Sequence, residues 1–507
     1  MNEALDLLLS TGRASGPAVM TGPNHAQLLS DIARQAMLER HLQPEFSAAA
    51  LQALERLTQA ADPTGPGLQD LRRLSWVSID NDDSRDLDQL SVAEALDQDR
   101  VRVRVAIADV DALVRSGDAI DEHARINTTS VYTPAQVFPM LPPRLSTDLT
   151  SLGQSQTRIA LVVDMVVDAA GALVGSDVYR AVVINQARLT YRRVSAWLAG
   201  SGTPPARISD QAALLEQLRL QQQVAERLRR VRQANGALRL ASIEPQAVFD
   251  GQTLRDLRPL DKNIAMELIE DLMIAANGVT ARFLSSRGIP SLRRVLRTPE
   301  RWDSIVSLAA QLGESLQPEP SALALNALLM QRQRSDPSGF PDLCLAVIKL
   351  LGRGEYVVER PGTAVPGHFG LAVQDYTHAT APNRRFPDLI TQRLLKAALG
   401  VCPSPYGEAE LAALAAHCTV QEDNAAKVER RVAKSAAALL LQDRVGERFD
   451  AIVTGAAEKG TWVRIEAPMT EGRLMSGFEG MQVGDRLRVI LASTDVARGF
   501  IDFRRAD

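Results

Sequence analysis

Five aspartates within nine residues give this sequence its clearest chemical signal. They follow an apolar stretch, with Trp76, Val77 and Ile79, that predicts a buried strand. Carboxylates gathered beside a buried strand repel one another unless a positive charge neutralises them. The segment is therefore either a solvated acidic loop or a cation site built from Asp80, Asp82, Asp83, Asp86 and Asp88.

A magnesium site explains these acids better than a calcium loop does. Counted from Asp80, the sixth position of an EF-hand loop needs glycine but is Arg85, and the twelfth needs glutamate but is Ser91. Mg²⁺ takes carboxylate oxygens and binds through few protein ligands together with substrate phosphate. Asp86 and Asp88 point to the same side of an extended segment, and Asp80 can approach them from the preceding strand. The sequence therefore predicts Mg²⁺, with Mn²⁺ as a substitute.

A second polar region, residues 367–395, contains groups that suit phosphate binding. It contains His378, Arg384 and Arg385 before a predicted helix. Arginine presents a planar fork of donors that suits phosphate, although two arginines at a helix start are also typical of a surface salt bridge. A further predicted helix over residues 263–283 carries Glu270 within a largely apolar sequence. An acid buried there needs a partner.

Composition is that of an ordinary globular protein. The chain has 507 residues, of which 45% are hydrophobic and 23% charged, and its formal net charge is −4. This balance excludes a polycation but not a nucleic-acid enzyme with a local basic channel. Three cysteines without a CxxC motif argue against a disulfide framework or a zinc ribbon. We find no signal peptide and no membrane-spanning run, so we expect a cytoplasmic protein with no membrane partner. We also expect a monomer.

Two regions with different sequence patterns precede the C-terminal tail. Residues 1–72 have apolar residues at helical spacing and predict a small helical module, either a helix-turn-helix domain or a cap on the main domain. Residues 73–445 mix strands and helices, with a hairpin of residues 90–95 and 101–109 beside the acidic loop. The Pro-rich residues 131–152 are too apolar for a linker and are expected to line a site or wrap a core. The predicted fold class is α+β with several domains.

The last region, residues 446–507, changes to short alternating strands with glycine-bearing turns, which is typical of an OB-sized β-barrel. Phe449 and Trp462 fall on these strands, where they either fill the barrel core or stack on bases. Basic residues such as Arg464 would follow a nucleic-acid backbone. The tail is therefore predicted to be a β-barrel of OB size.

Five segments resemble the RNase II (RNB-domain) family of exoribonucleases, in that family's order. The resemblance covers residues 73–507, and the tail is similar to the family's S1-type OB fold. The helical N-terminal region differs from the paired cold-shock barrels usual in bacterial members. The matching segments are SIDNDDSRDLD (78–88), VAIADV (105–110), PMLPPRLSTDLTSL (139–152), LIEDLMIAAN (268–277) and HFGLAVQDYTHATAPNRRFPDL (368–389).

The resemblance implies processive, Mg²⁺-dependent hydrolysis of single-stranded RNA from the 3′ end to nucleoside 5′-monophosphates. It implies that Asp80, Asp86 and Asp88 are metal-binding and catalytic carboxylates, and that Arg384 is the catalytic arginine. It further implies that Tyr132 packs on the terminal nucleotide. The remaining candidate RNA contacts are Glu270, which would read the ribose, His378, Arg385, Phe449, Trp462 and Arg464.

Gln89 stands where the family pattern has a second, adjacent aspartate. An amide offers a neutral oxygen in place of a charge, so Gln89 is either a weak metal ligand in a working site or the mark of a dead one. Two other functions stay open: an inactive RNA clamp, and a metal phosphodiesterase acting on short oligonucleotides or DNA. The aspartate cluster argues against the clamp and the S1-like tail against a mononucleotide enzyme, so we favour the exoribonuclease.

Overall fold

A computed structural model describes residues 24–241, 245–259, 262–337, 339–457 and 460–506. The helices in these ranges are α1 (His25–Leu38), α2 (Ala48–Arg56), α3 (Ala119–Asn127), α4 (Tyr191–Leu198), α5 (Ala212–Ala234), α6 (Ile264–Ser286), α7 (Trp302–Gln311), α8 (Ala322–Ser335), α9 (Phe340–Leu351), α10 (Phe386–Ala398) and α11 (Glu408–Leu441). The strands are β1 (Leu68–Asp70), β2 (Val77–Asp80), β3 (Gln89–Ala95), β4 (Val101–Ala108), β5 (Val131–Tyr132), β6 (Val137–Phe138), β7 (Thr157–Val167), β8 (Leu173–Ile184), β9 (Ala187–Thr190), β10 (Pro245–Asp250), β11 (Thr253–Pro259), β12 (Ser291–Val295), β13 (Glu355–Glu359), β14 (Arg448–Ala457), β15 (Gly460–Glu466), β16 (Met469–Leu474), β17 (Arg486–Asp495) and β18 (Phe500–Arg505).

A seven-stranded sheet, in the order β1-β8-β7-β4-β3-β2-β9, forms the centre of the molecule. The predicted hairpin is present, because β3 pairs antiparallel with β4 and Gln89 lies opposite Ile107. The acidic loop joins two neighbouring strands, since β2 ends at Asp80 and β3 begins at Gln89. Residues 68–70, which we placed in the helical module, form β1 and pair with β8 at the sheet edge.

One large apolar cluster unites this sheet with α5, α6 and α10. Because α6 is buried along most of its length, its apolar residues Leu268, Leu272 and Ala276 reach the core. The segment 131–152 wraps the same core with Leu145 and Met140. The predicted α+β class is confirmed, and the acidic loop sits at the rim of this core.

The N-terminal helices pack against different parts of the protein. Ala50 of α2 joins the cluster under the central sheet, whereas Leu29 and Met37 of α1 join a second cluster shared with α11 and the C-terminal barrel. The described helices therefore act as caps and do not form a separate two-helix domain. The helical segment predicted within residues 1–23 lies outside the described residues.

The C-terminal strands close into a barrel in the order β14-β15-β16-β18-β17, which confirms the predicted all-β tail. Val453, Val463 and Phe503 fill its interior. The barrel is tied to α9 by two ion pairs, Arg464 with Asp342 and Lys349 with Glu471, each at 2.5 Å. Among the described helices, none combines the length and the apolar character needed to cross a membrane.

Candidate active site

Asp88 is the most deeply buried of the clustered acids. It directly precedes β3, its side chain is 2% exposed, and its Oδ1 accepts the backbone N–H of Asn383 at 2.9 Å. Its Oδ2 is buried without a hydrogen-bond partner. A buried carboxylate oxygen without a hydrogen-bond donor is costly, so this atom can accept a further ligand.

The guanidinium of Arg384 approaches that oxygen, with 3.5 Å between Nε and Asp88 Oδ2. The backbone of Arg384 is fixed just before α10, because its carbonyl accepts the N–H of Ser130 at 3.0 Å. The next residue, Arg385, pairs instead with Asp388 at 2.7 Å. The two arginines therefore differ in role: Arg384 faces the acids, and Arg385 fastens the start of α10.

Burial changes the titration of the acids. It raises the pKa of Asp88 to about 7, although Arg384 and the Asn383 N–H oppose that rise. It also raises the pKa of Asp80, again against Arg384, and neighbouring Asp86 adds to the rise in both. Burial is the larger cause of both rises and the neighbouring carboxylate adds to it, so a cation bound here would favour the charged forms of Asp80 and Asp88.

The donor set suits a hard divalent cation. In the parts of the chain that the structure describes, no group of three or more histidine, cysteine, aspartate or glutamate side chains could hold a metal ion. Mg²⁺ requires less, because one or two carboxylates with substrate phosphate and water complete its shell. Asp80 and Asp88, with Asp86 beside them, are the residues that would hold it, and the unpartnered Oδ2 of Asp88 fits that role. Gln89 is half-buried at the start of β3, next to this group.

Two side chains that sequence reasoning missed hold the acidic loop in shape. Buried Ser151 accepts the N–H of Leu87 at 3.1 Å and donates to the carbonyl of Arg85 at 2.7 Å. Arg188 on β9 donates through one nitrogen to the carbonyls of Asp82, at 3.0 Å, and Ser84, at 2.6 Å. Ser151 lies in the segment that we expected to line a site, but no sequence signal singles out Arg188.

Two tyrosines border Arg384. Tyr132 on β5 is 45% exposed; desolvation raises its pKa, and the positive charge of Arg384 opposes the rise. Tyr191, which we did not predict, begins α4 directly after β9. Burial raises its pKa, with Asp80 adding to the rise and Arg384 opposing it. The structure thus gathers predicted Tyr132, Arg384 and Asp88 in one place.

Glu270 is not the buried acid that we expected. Its side chain is 44% exposed and pairs with Lys262, because it lies on the solvent side of α6. The buried acid is the next residue, Asp271, which pairs with Arg229 at 2.7 Å and with Arg232. A ribose contact by Glu270 would therefore occur at the protein surface.

His378 lies in a cluster of rings rather than free in the site. Its Nδ1 is hydrogen-bonded to the hydroxyl of Tyr356 at 2.7 Å, and Tyr376 meets it edge-on. Burial, with the charges of Arg385 and Arg294, holds its pKa well below the ordinary value. His378 is therefore neutral and structural in this geometry.

The barrel residues divide into structural and exposed ones. Phe449 is buried against Phe503, with ring centroids 6.2 Å apart, so it fills the core and offers no face to a base. Arg464 is engaged with buried Asp342 and ties the barrel to α9. Trp462 is half-buried and keeps part of its surface accessible. Our expectation of RNA contacts by Phe449 and Arg464 is corrected to a structural role.

Comparison of this chain with known protein families identifies the family to which it belongs. Residues 68–401 match the RNB domain, and residues 447–506 match the C-terminal S1 domain of RNase II-type exonucleases. The chain belongs to the RNB-domain family. The RNB match covers the sheet, the acidic loop and the Arg384 segment, and the S1 match covers the barrel, so the resemblance drawn from the sequence is confirmed.

Ribonuclease R of Escherichia coli (strain K12) is one relative of this chain. It is 32% identical over 476 residues, which cover 86% of this chain and 57% of that protein. Ribonuclease R of Thermotoga maritima is 30% identical, with 86% of this chain and 64% of that protein covered. The chain thus spans somewhat over half the length of the curated relatives it matches.

Solved structures show the same fold. RNase R of Mycoplasma genitalium, determined in its apo form, superposes with a TM-score of 0.85 at 23% identity, covering 94% of this chain and 78% of that one.

Proposed function

We propose that this protein is a hydrolytic exoribonuclease that shortens single-stranded RNA processively from its 3′ end and releases nucleoside 5′-monophosphates. The observation that carries the proposal is the approach of Arg384 to buried Asp88, beside Asp80 and Tyr132. Membership of the RNB-domain family supports the reaction type, and the ribonuclease R names of the relatives support the substrate.

The residues present suit phosphodiester hydrolysis. The guanidinium of Arg384 is a planar donor that can meet the negative charge growing on the scissile phosphate in the transition state. Asp88 orients that guanidinium and is itself held by the Asn383 N–H. Half-exposed Tyr132 offers a ring surface for the terminal nucleotide, within the electrostatic influence of Arg384. The chain's own groups thus position the end of the RNA and stabilise its changing charge.

We propose Mg²⁺, held by Asp80 and Asp88 with Asp86 near, as the cofactor, and Mn²⁺ as its substitute. When bound, a divalent ion supplies Lewis-acid stabilisation of phosphate oxygens and a more acidic water. The buried Oδ2 of Asp88, which has no hydrogen-bond donor, supports this assignment, because a hard divalent cation takes carboxylate oxygens.

A polyacrylamide gel of 5′-labelled single-stranded RNA incubated with the protein and Mg²⁺ tests this function. We expect the labelled strand to shorten step by step to a small limit product. DNA of the same sequence, run in parallel, tests for a phosphodiesterase of another substrate class. Release of the 5′ label as a mononucleotide, internal cuts, or equal degradation of DNA would refute the proposal.

A catalytically weakened RNA-binding protein is the second candidate. Gln89 in the acidic motif favours this candidate. The fold is compatible with either function. Yeast Ssd1, described as a pseudonuclease, superposes with a TM-score of 0.66 at 16% identity, covering 92% of this chain and 58% of that one. The same gel separates the two, since this candidate binds RNA without shortening it. A monomer located in the cytoplasm remains our prediction.

A further inference from the structure

We propose that helix α1 is a positioning element of the active site, which it serves by bracing the β5–β6 hairpin that carries Tyr132. This inference rests on the proposed function and assigns a role to the described part of the N-terminal region. Ser30 and Arg34 are then positioning residues, because their side chains contact the hairpin that carries Tyr132.

The hairpin has two faces with opposite surroundings. Its two residue pairs are Val131 opposite Phe138 and Tyr132 opposite Val137. The first pair is buried, with exposures of 0% and 2%, whereas the second is open, with exposures of 45% and 48%. Strands of two residues are not stable alone, so the buried pair must be held by other elements for Tyr132 to keep its place.

Helix α1 supplies that hold through polar and cationic contacts. The buried hydroxyl of Ser30 is hydrogen-bonded to the side-chain oxygen of Gln136, in the turn of the hairpin. The guanidinium of Arg34 lies over the ring of Phe138, 5.6 Å from its centroid. Val131 and Phe138 belong to the same apolar cluster as the buried side of α1. The hairpin turn and its buried face are therefore both fixed by one helix.

The opposite support comes from α11. Glu429 accepts the backbone N–H of Tyr132 at 2.8 Å. Helix α1 is itself fastened to α11, because Glu39 pairs with Arg431 at 2.5 Å and the Arg40 carbonyl accepts from Asn424 at 3.4 Å. The hairpin thus lies between two helices that are tied to each other, which keeps the Tyr132 ring beside Arg384.

A small displacement of this hairpin should slow the reaction more than it weakens RNA binding. Tyr132 acts at the end of the strand, while other contacts hold long RNA, so movement of the ring changes the alignment of the reacting end. We expect the pair Ser30→Ala and Arg34→Leu to lower the single-turnover rate by about ten-fold. The dissociation constant for long RNA should stay within about two-fold of the wild-type value.

Matched controls come from α1 and from the segment that follows it. Gln27 and Asp31 are exposed and bonded to each other at 2.8 Å, so Gln27→Ala with Asp31→Ala should leave the rate unchanged. Arg34 also pairs with Glu45, and Glu45→Gln removes that ion pair without touching Phe138. A rate loss in Glu45→Gln equal to that of the bracing pair would contradict the brace.

A double-mutant cycle with Tyr132→Ala gives the decisive result. If α1 acts through Tyr132, the bracing pair lowers the rate in the wild type but adds nothing in Tyr132→Ala. An equal loss in both backgrounds would overturn the inference.

Hydrogen exchange provides a readout besides activity. Amides of residues 131–138 should exchange faster in the bracing pair than in the Gln27 and Asp31 control. Unchanged exchange there would contradict the brace, whereas a wild-type protein that does not shorten RNA would contradict the proposed function instead.

Discussion

Arg384 Nε lies 3.5 Å from Asp88 Oδ2, and the residue before it, Asn383, donates its N–H to the other oxygen of the same carboxylate. One acid at the end of the acidic loop is thus bound by two consecutive residues at the entrance of α10. This contact joins the two halves of the candidate site, because the loop between β2 and β3 contributes the acids and the α10 entrance contributes the arginine.

Asp88→Asn and Arg384→Ala should remove most turnover while RNA affinity changes little. Arg384 meets charge that develops in the transition state, and Asp88 orients Arg384 and would hold the ion, so loss of either should cost about 100- to 1,000-fold in rate. Single-turnover kinetics and a binding titration on the same RNA separate the two quantities. Arg72→Ala is the control, since exposed Arg72 pairs with Asp70 at the edge of the sheet. Near-normal turnover in either variant would exclude that residue from the mechanism.

Gln89→Asp should lower the Mg²⁺ concentration needed for half-maximal activity. A carboxylate adds a negative charge where the amide offers a neutral oxygen, so the ion should bind more tightly. The wild type should correspondingly need high Mg²⁺ or respond strongly to Mn²⁺. Metal titrations of both proteins give the comparison. An unchanged requirement would mean that Gln89 is not a ligand.

Alanine substitutions of two barrel phenylalanines should affect different properties, RNA affinity for Phe500 and the free energy of unfolding for Phe449. Phe500 is 56% exposed, and its replacement by alanine should weaken RNA binding by about ten-fold, the effect of one lost base stack, with little change in unfolding. Phe449 fills the core, so Phe449→Ala should lower the free energy of unfolding by about 3–5 kcal/mol. Denaturant melts and RNA titrations measure both. Unchanged RNA affinity in a folded Phe500→Ala protein would remove that ring from the RNA surface.

The free energy of unfolding should decrease as the pH is lowered, because of His123. Burial lowers its pKa to about 4, and its ring packs on Phe46. Between pH 6.5 and 4 the unfolded chain binds a proton that the folded chain excludes, so the free energy of unfolding decreases as pH falls. The full effect is on the order of 3 kcal/mol at pH 4. His123→Gln should show a shallower loss in urea melts across this range, and exposed His41→Asn should match the wild type. Parallel curves for all three proteins would contradict the assignment.

Local patterns predicted the elements around the site well. The alternation of valine and arginine gave the β3–β4 hairpin, and the change from apolar residues to aspartates placed Asp80 at the end of a strand. Such patterns report on neighbours within a few residues. The contact of Asp88 with Arg384 spans most of the chain, and only the family resemblance indicated it.

The sequence did not predict which residues of a helix face the core, nor which distant residues contact each other. On α6 successive residues are turned by about 100°, so a largely apolar helix does not reveal whether Glu270 or Asp271 faces the core. Arg188 supports the acidic loop through backbone carbonyls, which carry no sequence signal. Arg464 looked like a phosphate contact because nothing in the tail reveals that Asp342 packs against it.

The most direct test of the central claim is a time course with RNA labelled in its 3′-terminal nucleotide. The wild type with Mg²⁺ should release the label first, as a nucleoside 5′-monophosphate, before any shorter labelled oligonucleotide appears. Asp88→Asn should leave the label on the full-length strand. Label that appears first in oligonucleotides, or that leaves as a nucleoside or a 3′-phosphate, would contradict 3′→5′ hydrolysis at this site.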